Sequence, residues 1–105
     1  MMEVRKGDVI YLKRKKDDRM SVRPYVVVSN DIGNHYSGIC LVVPLTMKIK
    51  KLTMPTHAVL NFHGSMMLCE QIHTIQQADI DRIAHHLSKT DMEKVDKCLK
   101  SSLAL

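Results

Sequence analysis

Hydrophobic positions along this chain follow two different periods, and each period predicts a different kind of element. Most of the chain carries short apolar runs rich in β-branched side chains, which are typical of strands. These runs predict strands at residues 9–12, 25–29, 39–45, 56–60 and 66–75. The runs at 25–29 and 39–45 are nearly continuous, which indicates strands buried on both faces. Residues 80–87 fit a short helical turn followed by a further strand.

The last segment has the period of an amphipathic helix instead. Its apolar side chains recur every three or four residues, at Met92, Val95, Cys98, Leu99 and Leu103. The opposite face carries lysines, at Lys94, Lys97 and Lys100. Thr90 and Glu93 have the spacing of a capping box, so we expect the helix to begin at this threonine.

The segments between the predicted strands are rich in turn-forming or charged residues. Residues 30–34 and 61–65 predict turns, whereas the basic stretches 13–19 and 48–51 predict solvated loops. Successive strands followed by one C-terminal helix predict a mainly β fold, either a small twisted barrel or a half-barrel. We find no repeat or linker, so we expect a single domain over residues 1–105.

The net charge and the cysteine content predict a kind of binding partner and a cellular compartment. The 105 residues carry a net charge of +5 and a pI of about 9.2. This favours a polyanion such as nucleic acid or an acidic protein, although a basic protein without such a partner is the alternative. Three widely spaced cysteines, no leading apolar stretch and no run of membrane-spanning length indicate reduced thiols in a cytoplasmic protein.

One charged residue stands directly before a buried run. Arg23 precedes Pro24, and proline favours an extended conformation in the residue before it, so we expect Arg23 to project from the start of the strand. Thr46 ends the next buried run. A forked guanidinium and a hydroxyl can together bind a phosphodiester and stabilise the charge that develops when RNA is cut. The alternative is that Arg23 pairs with an acidic neighbour and Thr46 only ends a strand.

The histidines do not have the spacing of a metal site. Their spacing includes no CxxC, no HExxH and no close Cys/His quartet. We therefore expect neither a metal nor a cofactor. Core thiols and surface histidines also explain these residues better than a Cys–His nucleophile pair.

Short motifs then follow one another in a specific order along nearly the whole chain. They are Lys6-Gly7-Asp8-Val9, Arg23-Pro24-Tyr25-Val26-Val27-Val28-Ser29-Asn30-Asp31, Pro44-Leu45-Thr46, Met54-Pro55-Thr56-His57, Leu68-Cys69-Glu70-Gln71-Ile72, Met92-Glu93-Lys94-Val95-Asp96 and Leu103-Ala104-Leu105. In this order and spacing the chain resembles the MazF/PemK family of type II toxin–antitoxin endoribonucleases.

The resemblance implies an SH3-like barrel with a C-terminal helix, which is the fold of CcdB/PemK-like plasmid maintenance toxins, working as a homodimer. It implies a toxin that cleaves single-stranded RNA at specific sequences without a metal, leaving 2′,3′-cyclic phosphate and 5′-hydroxyl ends and so inhibiting translation and growth. It also implies a MazE-like antitoxin with an acidic tail. The residues that match the family's catalytic arginine and threonine are Arg23 and Thr46.

Further RNA contacts are predicted from this resemblance. They lie at Ser21, Lys48, Met54, His57, Gln71 and His73. The chain departs from the family in two places. The loop at 15–22 lacks glycine, so the family's base preference does not carry over to this chain. His73 and Gln76 replace an arginine and an aspartate of the family, which gives Arg23 and Thr46 more weight as the catalytic residues. His73 is either a proton donor or base for the reaction or a groove-lining residue.

Two other functions stay open on the sequence. A toxin of the same fold poisons DNA gyrase by binding, as CcdB does, but that family ends in Trp-Gly-Ile, whereas this chain ends in Leu103-Ala104-Leu105 and has no Trp. The second alternative is a non-catalytic module that only binds an antitoxin or RNA.

Overall fold

Seven strands and two helices make up the part of the chain that the computed structural model describes, residues 3–15, 22–48 and 54–105. The strands are β1 (Asp8–Leu12), β2 (Tyr25–Val27), β3 (Ile39–Thr46), β4 (His57–Val59), β5 (Met66–Leu68), β6 (His73–Gln76) and β7 (Ile80–His86). The helices are α1 (Asp31–Tyr36) and α2 (Lys89–Leu103), and a 3₁₀ turn at Gln77–Asp79 leads into β7. The predicted mainly β fold with a C-terminal helix is confirmed.

Strand β3 lies at the centre of the sheet. Neighbouring strands follow the order β4–β5–β3–β2–β1–β7, and every pairing is antiparallel. One edge of β3 pairs with β2, and the other edge is shared between β5, at Leu45 and Thr46, and β6, at residues 39–42. Because side chains alternate along a strand, these pairings sort the residues onto two faces of the sheet.

Each face builds its own hydrophobic cluster. On the helix face, α2 packs against the sheet, and this cluster includes Val9, Val26, Val43, Leu45, Met67, Cys69, Val95 and Cys98. On the far face, the second cluster includes Ile10, Tyr25, Val27, Val42 and Ile75. Adjacent residues of β2 and β3 therefore belong to opposite clusters, as the pleat of a strand requires.

The single long strand predicted at 66–75 is wrong, because β5 and β6 are separate strands. Pro44 gives a physical reason. The backbone N–H groups of β3 point alternately to its two edges, and the N–H of Leu45 donates to the carbonyl of Pro24 on the β2 edge at 2.9 Å. Position 44 therefore faces the other edge, where proline has no N–H to donate. The pairing on that edge passes from β5 to β6 at this position.

Two other predicted elements also differ. The predicted turn at 30–34 is wrong, since these residues enter helix α1, whose N-cap Asn30 accepts a hydrogen bond from the N–H of Gly33 at 2.7 Å. Asn and Asp favour turns and helix starts for the same reason: their side-chain oxygens bind nearby backbone N–H groups. The strand predicted at 39–45 is buried on both faces only in its second half, because Ile39 and Leu41 are exposed.

Helix α2 begins before the predicted threonine. Its N-cap is Ser88, whose hydroxyl accepts a hydrogen bond from the N–H of Asp91 at 3.2 Å. The buried Asp91 carboxylate in turn accepts from the N–H of Asn61 at 2.8 Å, which ties the helix start to the turn at 61–65. The capping box at Thr90 is therefore wrong, whereas the amphipathic helix itself is confirmed.

The N-cap assignment predicts a difference between two hydroxyl residues. Ser88→Ala should lower the free energy of unfolding by about 1 kcal/mol, because the Asp91 N–H loses its acceptor. Thr90→Ala, at an exposed position inside the helix, serves as the control and should change stability little or increase it slightly. Urea titration followed by circular dichroism measures both, and a larger loss in Thr90→Ala would contradict the assignment.

Candidate active site

The register of β2 and β3 brings the two predicted catalytic residues to the same end of the β2–β3 ladder. Tyr25 pairs with Pro44, and the ladder continues through the hydrogen bond between Leu45 and Pro24. Arg23 lies at the bend just before Pro24, and Thr46 follows Leu45 as the last residue of β3. Adjacent strands lie about 5 Å apart, so the pairing brings these two positions together although they are far apart in sequence.

Both side chains are available to a ligand. Arg23 is exposed, and it has no acidic partner within 4 Å among the residues that the structure describes. Thr46 is half-buried, and its hydroxyl oxygen accepts the N–H of Lys48 at 3.2 Å. A hydroxyl that accepts one bond can still donate its own hydrogen. The arrangement therefore offers a forked cation and a neutral donor side by side.

The same face of the sheet carries two of the predicted RNA contacts, His57 and His73. Thr46 pairs with Met66, and β4 pairs with β5 so that His57 lies opposite Leu68. Since alternate residues share a face, His57 falls on the face of Thr46. Strand β6 adds His73 opposite Val42, and its ring meets the ring of Tyr25 edge-on at 6.3 Å between centroids. We call the surface formed by Arg23, Thr46, His57 and His73 the site face.

A hydrogen-bonded group at the edge of the site face was missed in the sequence. Glu70 accepts from the Thr56 hydroxyl at 2.9 Å through Oε2, and its Oε1 lies 2.7 Å from His57 Nε2. The His57 side chain is 5% exposed, whereas that of Glu70 is 38% exposed. His57 is thus turned toward Glu70, and the carboxylate is the member that faces solvent.

The partners of Glu70 keep it ionised. Partial burial opposes ionisation, but hydrogen bonds from His57, from its own backbone N–H and from Thr56 outweigh it and hold the pKa of Glu70 below its usual value. An ionised carboxylate only accepts hydrogen bonds, so His57 must donate from Nε2. Thr56, His57 and Glu70 all stood within the sequence motifs, but only the pairing of β4 with β5 brings them together.

The remaining predicted contacts lie near this surface or outside the described residues. Lys48 follows Thr46 and is exposed, and Met54 is exposed just before β4. Gln71 is half-buried next to Glu70, and its N–H donates to the carbonyl of Leu68 at 3.1 Å. Ser21, residues 16–19 of the first basic stretch and residues 49–51 of the second lie outside the described residues. These contacts stay predictions.

The cysteines are buried in the two clusters, with Cys40 in the far-face cluster and Cys69 and Cys98 in the helix-face cluster. Burial raises the pKa of Cys40 to about 11, and burial aided by Cys98 and Glu70 raises the pKa of Cys69 to about 12. Burial also raises the pKa of Cys98. Since the thiolate is the reactive form, these cysteines are packing residues and not nucleophiles.

Thiol labelling checks this interpretation. At pH 8 the folded protein should react slowly with an aromatic disulfide reagent, because raised pKa values and burial both suppress the attacking thiolates. After denaturation in guanidinium, all three cysteines should react at once. A rapidly labelled cysteine in the folded protein would contradict the assignment.

Neither a metal centre nor a spanning helix is seen in the described parts of the chain. Across residues 3–15, 22–48 and 54–105, no group of three or more His, Cys, Asp or Glu side chains has the arrangement to hold a metal ion. None of the helices described there has the length and apolar character to cross a membrane.

Comparisons with known proteins agree over almost the full length. A family model described as the PemK-like, MazF-like toxin of type II toxin–antitoxin systems matches residues 5–103. The chain is 35% identical over 113 aligned residues to endoribonuclease EndoA of Bacillus subtilis strain 168, with 99% of this chain and 97% of that protein covered.

Solved structures share the fold at lower identity. An endoribonuclease from a mycobacterial species superposes with a TM-score of 0.84 at 19% identity, covering 100% of this chain and 95% of that one. A mycobacterial endoribonuclease in complex with its cognate antitoxin gives 0.83 at 19% identity, with 97% and 96% covered. A MazE–MazF structure from Deinococcus radiodurans gives 0.78 at 18% identity, with both chains covered completely.

Proposed function

Because the chain belongs to the PemK-like, MazF-like toxins of type II toxin–antitoxin systems, we propose that it is a sequence-specific, metal-independent endoribonuclease that cleaves single-stranded RNA. The predicted family is confirmed, and so is the predicted fold, the SH3-like barrel of the CcdB/PemK-like toxins. The chain would act in the cytoplasm, where cleavage of messenger RNA inhibits translation and growth.

One observation supports the proposal most directly: Arg23 and Thr46 stand at the same end of the β2–β3 ladder, where two buried strands reach the surface. Pro24 and Leu45 anchor the backbone at this point through their hydrogen bond. Arg23 itself pairs with no carboxylate among the described residues, so its charge is available to a phosphate. A permanently charged fork held on a rigid sheet can stabilise a developing oxyanion without reorganising.

The proposed reaction needs no group beyond RNA and protein. The 2′-hydroxyl loses its proton and attacks the adjacent phosphorus, the bond from phosphorus to the 5′-oxygen breaks, and that oxygen takes up a proton. The products are a 2′,3′-cyclic phosphate and a 5′-hydroxyl. Arg23 binds the phosphoryl oxygens as their charge grows, and Thr46 donates its hydroxyl hydrogen to hold the phosphate.

Proton transfer is the step for which Arg23 is least suited, because a guanidinium does not readily lose its proton. His73 lies on the site face beside Tyr25, and an imidazole is the side chain that most often serves as a general acid or base. Its proposed place is therefore in the groove, either moving a proton or lining the RNA.

Exposed apolar side chains beside the two proposed catalytic residues favour single-stranded RNA. Val22 and Met47 are adjacent in sequence to Arg23 and Thr46 and are 63% and 61% exposed, and Met54 is exposed nearby. Unpaired bases present flat apolar faces that a duplex hides. Ser21, Lys48, Gln71 and His73 are the proposed polar contacts along the same groove.

An antitoxin and a second copy of the chain are the proposed protein partners. A relative solved with its cognate antitoxin supports the first, and the net charge of +5 suits a MazE-like acidic tail that covers the RNA groove.

An apolar patch supports the homodimer. Ile32 and Tyr36 on α1 and Ile39 and Leu41 on β3 are all exposed, and the proposed homodimer buries this α1–β3 patch.

Paired substitutions test the catalytic assignment. Arg23→Ala and Thr46→Val should each lower the cleavage rate about 100-fold or more, because each removes a donor that acts on the transition state. Thr46→Ser keeps the hydroxyl and Arg5→Ala removes an exposed arginine elsewhere, so both should stay active. The measurement is cleavage of a long single-stranded RNA in EDTA, with melting temperatures as a check of folding.

The outcome separates an enzyme from a binding protein. If wild type cuts no RNA, the non-catalytic or gyrase-poisoning alternative replaces the enzyme. If wild type cuts only when divalent metal is added, metal independence is wrong. If cleavage survives in Arg23→Ala, the assignment of the arginine is wrong while the activity stands.

Sedimentation tests the homodimer. Tyr36 is 81% exposed, so Tyr36→Glu should leave the monomer folded but place a charge in the α1–β3 patch. Wild type should sediment as a dimer at micromolar concentration and this variant as a monomer. Thr90→Glu adds the same charge on α2 and should remain dimeric. A monomeric wild type, or a dimeric Tyr36→Glu, would contradict the patch.

A further inference from the structure

Glu70 places a negative charge on a surface proposed to bind RNA. It occupies the turn between β5 and β6, the two strands that share one edge of β3, and so lies between the strand that pairs with Thr46 and the strand that holds His73. A carboxylate repels phosphates, so it is unfavourable in an RNA groove unless it binds something other than the backbone. RNA offers hydrogen-bond donors at its base N–H groups and its 2′-hydroxyls, and of these only the base groups differ with sequence.

The carboxylate is held in one orientation by two neighbours from the start of β4. Thr56 donates to Oε2 and His57 donates to Oε1, at 2.9 and 2.7 Å. The backbone on which they stand is fixed in turn, because the N–H of Cys69 donates to the carbonyl of Thr56 at 2.9 Å. Glu70 is therefore preorganised, which removes the entropic cost of ordering a long side chain when a ligand binds.

The occupied positions also limit what can bind. An ionised carboxylate has about four acceptor positions, and Thr56 and His57 occupy one on each oxygen. The positions that remain accept hydrogen bonds and donate none. Adenine, cytosine and guanine each carry an exocyclic amino group that can donate to them, whereas uracil flanks its one N–H with carbonyl oxygens that a carboxylate repels.

We infer that Glu70 recognises one base of the RNA by accepting a hydrogen bond from its exocyclic amino group, which excludes uracil at that position. His57 and Thr56 are its positioning residues. This inference rests on the proposed endoribonuclease function and deepens it, because it assigns a specificity residue that takes no part in the cleavage step itself.

Sequencing of cleaved ends tests the inference. Wild type should reject uracil at one position near the cut. Glu70→Gln keeps the shape but adds an N–H donor that can face a carbonyl, so uracil should now be accepted there. The preference for bases with an amino group over uracil, measured as the ratio of kcat/KM on matched oligonucleotides, should fall about tenfold or more. Glu93→Gln makes the same charge change on α2 and should keep the wild-type motif.

Substitutions of the positioning residue add a second readout. His57→Gln retains an N–H donor near the place of Nε2 and should keep the base preference. His57→Leu leaves Oε1 of Glu70 without its partner and should relax the base preference. The kcat on the best substrate should change less than the ratio of kcat/KM between the matched oligonucleotides. A role limited to holding the β4–β5 hairpin would instead lower the melting temperature and leave the ratio unchanged.

The outcomes keep the two proposals apart. If wild type cuts RNA but its motif has no position that rejects uracil, the inference is wrong and the enzyme stands. The same holds if the Glu70→Gln motif matches that of wild type. If wild type cuts no RNA, both the proposed function and the inference fail.

Discussion

The pairing of β3 with three other strands is the constraint on which both the core and the site depend. Its register against β2 places Val43 and Leu45 under helix α2 and Val42 in the far cluster. A shift of one residue would turn every side chain of β3 to the opposite face. Such a shift would expose core valines and would also separate Thr46 from Arg23. The packing of the core therefore fixes the geometry of the site.

The two prolines near the centre of the sheet affect the pairing of β3 in different ways. Pro24 is buried at the start of β2, and its carbonyl accepts the N–H of Leu45, so the ladder extends to the residue beside Arg23. Pro44 lies within β3 and has no N–H to donate on the edge where the pairing of β3 changes from β5 to β6. The chain turns at residues 69–72 beside this gap, and Glu70 stands on that turn. The interruption in strand pairing thus creates the surface that carries the carboxylate.

Sequence reasoning was most successful where a single segment carries the signal. The apolar period of α2 could be recognised because helix-forming contacts are local. The cap of the same helix was placed at Thr90 because Ser88 and Thr90 offer similar chemistry, and only the bond between Asp91 and Asn61 distinguishes them. Asn30 was ambiguous for a related reason, since a turn and a helix start both use its side chain in the same way.

The sequence by itself determined the kinds of elements, the positive charge and the choice of Arg23 and Thr46 as a candidate pair. These follow from residue type, from local period and from motifs in order, none of which requires coordinates. Only the tertiary structure decided which residues meet. Arg23 and Thr46 come to one end of the β2–β3 ladder, and His57 contacts Glu70, through strand pairings between distant segments. The register of strand pairing is set by the energy of the whole sheet, so no single segment of the chain determines it.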